Sequence, residues 1–520
     1  MQNTSTPAPA KATRREWIGL AVIALPCMVY AMDLTVLNLA LPAISADLKP
    51  TSSQLLWIVD IYGFLVGGFL ITMGTLGDRI GRRKLLLIGA VAFALASILA
   101  AFSTSAEMLV AMRALLGVAG ATLAPSTLSL IRNMFHDERE RQFAIGIWIT
   151  AFSVGSAIGP LVGGVLLQYF WWGACLLVAV PVMVLLLVLG PWLLPEYKDP
   201  NAGRLDLVSV ALSLAAVLPV IYGVKQLAEH GLGWLPVLIV LAGLAVGVLF
   251  VRRQGRLAYP LLDLALFRRP AFSAAIAAYA LSCLAMFGLY IFITQYLQLV
   301  LALSPLQAGI ATVPWALAFV VGSLLAPKLA QHVAPIGILV WGLVAAAVGF
   351  AMLTQADGPH GLAVLVAATV VMSLGMAPVF TIGNEMIITS APPERAGSAS
   401  AISETSSEFS GALGIAVFGS IGTAFYRNAL GAHMPEGVPP EAASVAVATL
   451  GGAVATAETL PGPVGEALLF QARAAFVDVL QTNAAIAAAV VLLASVLAWR
   501  ILREPAAAVA ADKPSVGDPA

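Results

Sequence analysis

The stretch "GTLGDRIGRRKLL", residues 74–86, places a short charged turn between two long apolar segments. Its glycines permit a tight turn and close packing of helices. Asp78 lies among four bases in this turn, and a charged loop of this length can join helical halves through ion pairs that break when the halves move. Positive charge alone orients a span, so membrane topology is an equally simple explanation of the bases. Topology does not explain Asp78.

The composition is that of a membrane protein. Of the 520 residues, 60% are hydrophobic and 10% are charged, and the mean hydropathy is +0.94, whereas soluble domains carry about 25% charged residues. Basic and acidic residues balance at 27 each and no polybasic tail is present, so we expect no nucleic-acid partner. The three cysteines lie in apolar runs without paired spacing, which favours small hydrophobic side chains over a metal or disulfide role.

Apolar segments long enough to cross a membrane recur along the chain. A span needs roughly 20 apolar residues, and the segments that reach this length form groups of six, two and six. The predicted spans lie near residues 17–41, 54–76, 85–103, 107–133, 142–169, 172–194, 205–225, 233–251, 271–299, 306–329, 335–354, 361–386, 398–424 and 476–502. The predicted fold class is therefore all-α, a polytopic membrane protein with two six-helix bundles and two inserted spans.

Polar segments divide this pattern into domains. The predicted boundaries are a tail at 1–16, a first bundle at 17–194, the inserted spans with their linkers at 195–270, a second bundle at 271–502 and a tail at 503–520. The second bundle carries a large outer segment, residues 427–475, in which stretches opened by Pro and Glu predict short helices. We interpret this segment as a surface cap, and the alternative is an acidic flap that concentrates or gates cations.

The distribution of bases predicts the orientation. If both termini are cytoplasmic, most of the 27 bases lie on the inner side, and only Lys49, Lys225, Arg427 and Arg473 remain outside. Arg113 alone falls within a span. This arrangement satisfies the positive-inside rule, and it supports an even number of spans.

Ionisable side chains inside the spans are candidates for function by default, because each costs roughly 2.5–3.5 kcal/mol on insertion scales. Asp33 and Asp60 lie in the first two spans, and Arg113 in the fourth is a candidate counter-charge or relay. Glu385 falls near the inner end of the twelfth span, where contact with the interface is as good an interpretation as transport.

Two further acids lie one helical turn apart in "ISETSSEF", residues 402–409. Their four-residue spacing puts Glu404 and Glu408 on one face of a helix, with Cβ atoms about 5–6 Å apart. Carboxylates within reach of each other can hold one proton or one cation between them. The alternative is a packing role, with both acids bonded to neighbouring Ser and Thr side chains.

Three glycine-rich or polar motifs accompany the charged turn. The fourth span contains "MRALLGVAGATLAP" at 112–125, and the first contains "MDLTVLNLALP" at 32–42. The fifth span contains "GSAIGPLVGG" at 155–164, in which small residues let helices pack closely and the proline permits a bend. The ordered set is Gly155, Gly159, Pro160, Gly163 and Gly164.

These motifs resemble those of the major facilitator superfamily. The turn at 74–86 is similar to the family's G-x-L-x-D-R-x-G-R-R-K loop, and it stands between the second and third spans as expected; the matching residues are Gly74, Asp78, Arg79, Gly81, Arg82 and Arg83. The fourth-span motif resembles R-x-x-x-G-x-x-G-A, and the fifth-span motif resembles the antiporter pattern G-x-x-x-G-P-x-x-G-G. The first-span motif is similar to that of the fourteen-span drug:proton antiporters, a subgroup that includes exporters of quaternary ammonium compounds and methyl viologen.

The resemblance implies a major facilitator fold and a secondary active exporter working by alternating access. It also implies that aromatic side chains in certain spans line a central cavity, although each ring alone is more often in contact with lipid or core. Together, rings and carboxylates suit a lipophilic cation, which needs apolar burial as well as negative charge. The candidate aromatics are Trp57, Tyr62, Tyr290, Phe292, Tyr296, Trp315 and Phe380.

We therefore expect a proton-coupled exporter of quaternary ammonium compounds, dyes, biguanide-like antiseptics or methyl viologen. The alternative is transport of another small solute, such as an amino acid, an osmolyte or a siderophore, since fold does not fix substrate. The sequence contains no P-loop, G-x-S-x-G, H-E-x-x-H or C-x-x-C motif, which argues against an enzyme. We expect no cofactor or metal, a monomer as the default state, and a place in a bacterial cytoplasmic membrane.

Overall fold

The computed structural model describes residues 11–198, 206–231, 233–257, 260, 262–391 and 396–511. In these ranges α-helices form almost all of the regular structure, with two short 3₁₀ turns and one π turn (Tyr296–Val300) and no strand. In chain order the helices are α1 (Arg14–Leu48), α2 (Ser52–Ile80), α3 (Arg82–Ala101), α4 (Ala106–Gly120), α5 (Leu123–Met134), α6 (Glu138–Tyr169), α7 (Ala174–Leu177), α8 (Ala179–Leu193), α9 (Leu207–His230), α10 (Trp234–Gln254), α11 (Pro270–Gln295), α12 (Pro305–Leu329), α13 (Pro335–Leu353), α14 (Gly361–Thr389), α15 (Ala396–Ala432), α16 (Pro440–Ala448), α17 (Leu450–Ala457) and α18 (Gly462–Ala511).

The described helices account for every predicted span. Thirteen are long and apolar enough to cross a membrane, and the count reaches fourteen when the bent helix α6 is taken as one span. Two spans are interrupted, since α4 and α5 together form one of them and α7 and α8 another. The prediction of an all-α polytopic membrane protein is confirmed.

Contacts within the chain group its residues into two units. The first comprises residues 1–253, 294–313 and 423–476, and the second comprises residues 254–293, 314–422 and 477–520. Helices α11, α12, α15 and α18 each contribute to both units. The bundle boundaries drawn from the sequence stay a prediction.

Helix α2, which carries several candidate residues, has well-defined ends. Thr51 Oγ1 accepts a hydrogen bond from the Gln54 backbone N–H at 3.2 Å, and Gln54 Oε1 accepts one from the Thr51 N–H at 2.9 Å. This reciprocal pair satisfies N–H groups that a helix start leaves open. The helix stops at Gly81, whose φ of +115° is accessible to glycine and strained for other residues. The charged turn at 74–86 is thus fixed by Gly81.

Close helix contact within the first unit depends on missing side chains. At Gly117 of α4, a Cβ would lie 2.6 Å from the backbone oxygen of Tyr62 on α2. Because real Cβ atoms do not approach so closely, any larger residue would push α4 away from α2. This contact holds Arg113, one turn earlier on α4, against α2.

The outer segment folds as predicted into short helices, α16 and α17, followed by the start of α18. Ser52 Oγ donates to the backbone oxygen of Ala448, and Tyr426 Oη donates to that of Ala446 at 3.2 Å. A Cβ at Gly451 would lie 2.8 Å from the Ser45 Cβ. The segment therefore packs on the ends of α1 and α2 within the first unit.

Candidate functional site

Asp33 and Arg113 form an ion pair inside the first unit. Arg113 Nη1 lies 2.5 Å from Asp33 Oδ2, and the two side chains are 1% and 8% exposed. The guanidinium also donates through Nε to the backbone oxygen of Ile58 at 3.1 Å and lies 4.6 Å from the centre of the Tyr62 ring. A carboxylate, a backbone oxygen and an aromatic ring thus surround the buried guanidinium, which needs such partners in place of water. The sequence singled out both residues, and the structure brings them together.

Asp60 has a different partner, Lys225 of the inserted helix α9. Lys225 Nζ lies 2.8 Å from Asp60 Oδ2, and both side chains are fully buried. The ammonium also stands over the face of Trp57, 3.8 Å from the ring centre. No well-aligned hydrogen bond joins the two charged groups in the described structure, so charge attraction holds the pair.

The charge count assigned Lys225 to the outer side, at the end of a predicted span. Helix α9 continues to His230, and the apolar span covers Leu207–Ala228, so Lys225 lies within the membrane-spanning part. The apolar run alone ends near residue 225, and a lysine there is ordinarily interpreted as reaching for the interface. Asp60 was the available signal, because a buried acid calls for a base and only Arg113 had been found in a span.

The second unit carries the paired glutamates on α15. Glu404 is exposed and Glu408 is half-buried, although both belong to an apolar helix. Tyr279 of α11 hydrogen-bonds to the Ser407 side chain and interacts electrostatically with both acids. Cys283, one turn along α11, lies 3.5 Å from Ser407 Oγ. The predicted common face of Glu404 and Glu408 therefore meets polar groups of α11.

A second polar contact lies close to this face. Ser403 Oγ donates to Asn384 Oδ1 of α14 at 2.7 Å. The neighbouring acid, Glu385, has an exposed side chain near the end of α14, and its backbone oxygen accepts from Thr389 Oγ1 at 2.9 Å. At this point α14 thus contacts α15 through Asn384, which sequence analysis did not single out.

The candidate aromatics divide between the units. Trp57, Tyr62 and Tyr296 belong to the first, and Tyr62 and Tyr296 are almost completely buried. In the second unit the rings of Tyr290 and Trp315 stack edge to face at 4.8 Å.

The remaining rings of the second unit are also packed. Phe380 meets Tyr279 edge to face at 5.3 Å, and Phe292 is buried. Two of the candidate rings have a cation over the face, Trp57 beneath Lys225 and Tyr62 beneath Arg113. Most of these rings contribute packing, and Trp57 and Tyr62 contribute recognition of charge.

The charged turn after α2 is held by ion pairs. Arg82 Nη2 lies 2.6 Å from Asp78 Oδ1, and Arg82 Nη1 donates to the backbone oxygen of Pro125 at 3.3 Å. Arg83 Nη1 donates to the backbone oxygen of Leu194 at 2.9 Å. Arg79 is exposed. Asp78 therefore ties the turn to α5 through Arg82.

Glu196 completes this group from the polar hinge after α8. Its carboxylate accepts from the backbone N–H groups of Arg83 and Lys84 at 3.1 and 3.2 Å and lies 3.6 Å from Arg83 Nε. Those N–H groups belong to the first turn of α3, where a negative charge is stabilised by the helix dipole. Sequence reasoning treated the hinge as a linker and missed this residue.

The glycines of the fifth-span motif make close contacts along one side of α6. A Cβ at Gly163 would lie 3.1 Å from Val36 of α1, and one at Gly164 would lie 2.6 Å from the backbone oxygen of Pro305. A Cβ at Gly155 would overlap the backbone oxygen of Met28, and one at Gly159 would lie 3.2 Å from that of Met32, so both glycines face α1. Pro160 lies within the helix, and its backbone oxygen would be 2.6 Å from a Cβ at Gly309. The motif lets α6 pack tightly against α1 and the start of α12.

Comparison with known proteins extends this description. The sequence profile of the Major Facilitator Superfamily matches residues 23–415. The chain is 47% identical to the multidrug efflux pump LfrA of Mycolicibacterium smegmatis over 490 residues, which cover 94% of this chain and 97% of the relative. It is 32% identical to the methyl viologen resistance protein SmvA of Salmonella typhimurium, with 93% and 98% covered.

A third relative supports this family, and two solved structures share the fold. The tetracenomycin C resistance and export protein of Streptomyces glaucescens is 32% identical, with 94% of this chain and 92% of the relative covered. The fold is similar to that of a bacterial homologue of the human lysosomal transporter Spinster, with a TM-score of 0.66, 17% identity and 94% and 99% of the chains covered. The peptide transporter POT in complex with sulfate gives a TM-score of 0.61, also at 17% identity, with 93% and 95% covered. The predicted major facilitator fold is confirmed.

Proposed function

Since the chain belongs to the Major Facilitator Superfamily, we propose that it exports lipophilic organic cations in exchange for protons. It is a multi-pass membrane transporter, not an enzyme. The substrates of this proposal are quaternary ammonium compounds, dyes, biguanide-like antiseptics and methyl viologen. The proposed location is a bacterial cytoplasmic membrane with both termini on the cytoplasmic side, and the proposed state is a monomer.

The observation that carries this proposal is the pair of acids on α15. Glu404 is exposed within an apolar span, whereas Asp33 and Asp60 are buried against bases. Among the described residues no base forms an ion pair with Glu404. A carboxylate within a span that has no such partner is the kind of group that takes up a proton or a cation during transport.

Competition for this pair of acids supplies the coupling. A carboxylate that holds a proton has lost the charge that attracts a cation, and a carboxylate that holds a cation resists protonation. A cation released outward is therefore followed by a proton, and the proton must leave inward before the next cation binds. Because proton and cation cannot bind together, alternating access exchanges one for the other across the membrane.

The relatives support drugs as the class of substrate. LfrA is named as a multidrug efflux pump, and SmvA is named for methyl viologen resistance. The relative from Streptomyces glaucescens, named for tetracenomycin C export, favours a second candidate function, the export of an antibiotic. A direct comparison of a cation with that antibiotic separates the two.

Everted membrane vesicles containing the protein test the proposal. Respiration acidifies the vesicle interior, and addition of N-methyl-4-phenylpyridinium, a lipophilic cation with one charge, should release part of the pH gradient. Vesicles that carry the Glu404→Gln/Glu408→Gln variant at equal abundance are the matched control and should show no release. If the cation leaves the gradient unchanged in both preparations while tetracenomycin C releases it, the cation-exchange proposal is wrong and antibiotic export replaces it.

A further inference from the structure

The ammonium group of Lys225 occupies a place with unusual chemistry. It lies 2.8 Å from a carboxylate oxygen of Asp60 and 3.8 Å from the centre of the Trp57 ring, and the lysine and aspartate side chains are fully buried. An aromatic face next to a carboxylate is the combination that recognises organic ammonium groups, since the ring adds attraction and excludes water while the acid balances the charge. We name Trp57 and Asp60 together the ammonium site.

Packing alone does not explain a charged pair at this position. Helix α9 already meets α2 through apolar side chains: Leu214 Cδ2 would lie 2.7 Å from a Cβ at Gly68. A buried ion pair is often no more stabilising than apolar residues of similar volume, because both charges lose their hydration. Charges in a membrane span are costly and are commonly functional. Apolar residues at both 60 and 225 would serve the contact between α9 and α2 as well as the ion pair does.

The ammonium of Lys225 is also incompletely satisfied. An ammonium has three N–H donors, yet in the described structure Lys225 Nζ has no hydrogen bond of good geometry beside its ion pair with Asp60. A competing cation that carries its own apolar surface needs no hydrogen bonds at all. The occupant of the ammonium site is therefore exchangeable on chemical grounds.

We propose that Lys225 is a built-in occupant of the ammonium site and that a transported organic cation enters this site by displacing it. Lys225 thereby becomes a specificity-determining residue. Its tethered charge is always present at high effective concentration. A substrate therefore enters only if it binds the ammonium site strongly enough to displace the Lys225 ammonium. Removing the charge leaves Asp60 available and raises the preference for substrates with more positive charge. This inference rests on the proposed transport of cations.

Binding to the purified protein tests the proposal with two probes of matched shape. N-methyl-4-phenylpyridinium carries one charge and methyl viologen carries two on the same two-ring framework. The Lys225→Met variant should bind both more tightly, by about tenfold or more for methyl viologen, and by less for the single charge. Lys225→Arg, which keeps the charge, should show no gain. Adding Trp57→Ala or Asp60→Asn to Lys225→Met should remove the gain.

Failure of this inference and failure of the proposed function give different results. If the wild type and Lys225→Met bind both probes with equal affinity, the built-in occupant is overturned while cation export stands. If the wild type binds neither probe and Lys225→Met binds methyl viologen, the ammonium site stands and cation export by the wild type fails.

A measurement on the wild type covers the case in which Lys225→Met does not fold. A membrane-permeant acylating reagent should leave Lys225 unmodified in the absence of cation and should modify it when N-methyl-4-phenylpyridinium is saturating, as read by peptide mass spectrometry. Lys49 and Lys328, which lie outside the ammonium site, should react equally in both conditions. Unchanged protection of Lys225 at saturating cation overturns displacement.

Discussion

Lys225 and Asp60 form an ion pair in which both side chains are fully buried, with 2.8 Å between Nζ and Oδ2. The lysine comes from one of the two inserted helices and the aspartate from the second helix of the chain. An inserted span that looked like a plain apolar segment thus carries a charge directly opposite a candidate transport residue. Asp33 is compensated in the same unit by Arg113, so both acids of the first two helices have a base of their own.

The first prediction concerns the stability of this pair. Asp60→Asn leaves the Lys225 ammonium buried without a counter-charge and should lower the stability by roughly 3–5 kcal/mol, the usual cost of breaking a buried pair. Asp60→Asn/Lys225→Met removes both charges and should recover most of that loss. Thermal unfolding in detergent of the purified wild type, of Asp60→Asn, of Lys225→Met and of the double variant measures the coupling. A loss in the double variant that equals the sum of the two single losses would mean that the two charges are not coupled.

Much of this arrangement follows from the sequence, because apolar length determines where a helix can cross a membrane. The predicted spans match the observed helices within a few residues over most of their lengths. The interruption between α4 and α5 near Thr122 is not encoded in hydropathy. Pro125 lies in the first turn of α5, and its ring conflicts with a helical carbonyl four residues earlier, at Ala121, where α4 ends.

The sequence predicts the acids of the candidate site better than it predicts the charged partners of those acids. Asp33, Glu404 and Glu408 are visible because a carboxylate in an apolar run is improbable without a use. Lys225 and Glu196 were missed because each stands at the edge of an apolar run, where charge is ordinary. Their partners, Asp60 and the first turn of α3, are more than a hundred residues away in the chain, and a single sequence does not report such pairs.

The second prediction concerns the charged turn. Glu196→Gln removes the carboxylate that accepts from two N–H groups of α3 and that lies against Arg83. We expect export by the variant to fall severalfold while equilibrium binding of cation stays within about twofold, because the change affects the turn and not the acids of the spans. Drug accumulation in cells and binding to the purified protein are the two measurements. Lys198→Gln is the matched control, since Lys198 is an exposed residue of the same segment and lies outside the motif, and an equal fall in export for both variants would contradict a special role for Glu196.

The third prediction concerns pH at the start of α9. Burial alone raises the pKa of Asp206, but hydrogen bonds from Ser209 and Arg253 and the positive charge of Arg253 outweigh it, so that the pKa is lower than usual. A lowered pKa contributes stability that is present above the ordinary carboxyl pKa of about 4 and is lost as the pH falls through the folded value. Amide hydrogen exchange, corrected for the intrinsic rate, should show protection at the start of α9 at neutral pH that declines in strong acid.

Asp206→Asn is the control for this third prediction. The amide can still accept from the Ser209 N–H, yet it has no charge to attract Arg253. Protection in this variant should be weaker at neutral pH, and its dependence on acid at this helix start should disappear. A wild-type profile that is flat down to strong acid would show that Asp206 does not stabilise the helix start through its charge.

The last prediction ranks the acids of the second unit. Glu408 is half-buried on the face that meets Tyr279, whereas Glu385 is exposed near the end of α14. Glu408→Gln keeps the size and most hydrogen-bonding capacity of the side chain while removing its ability to release a proton. It should abolish cation:proton exchange in everted vesicles, and Glu385→Gln should retain most of it. Both variants need equal abundance in the membrane for the comparison. If the two variants exchange equally well, the depth of an acid in its helix does not decide its part in coupling, and Glu404 becomes the residue to replace next.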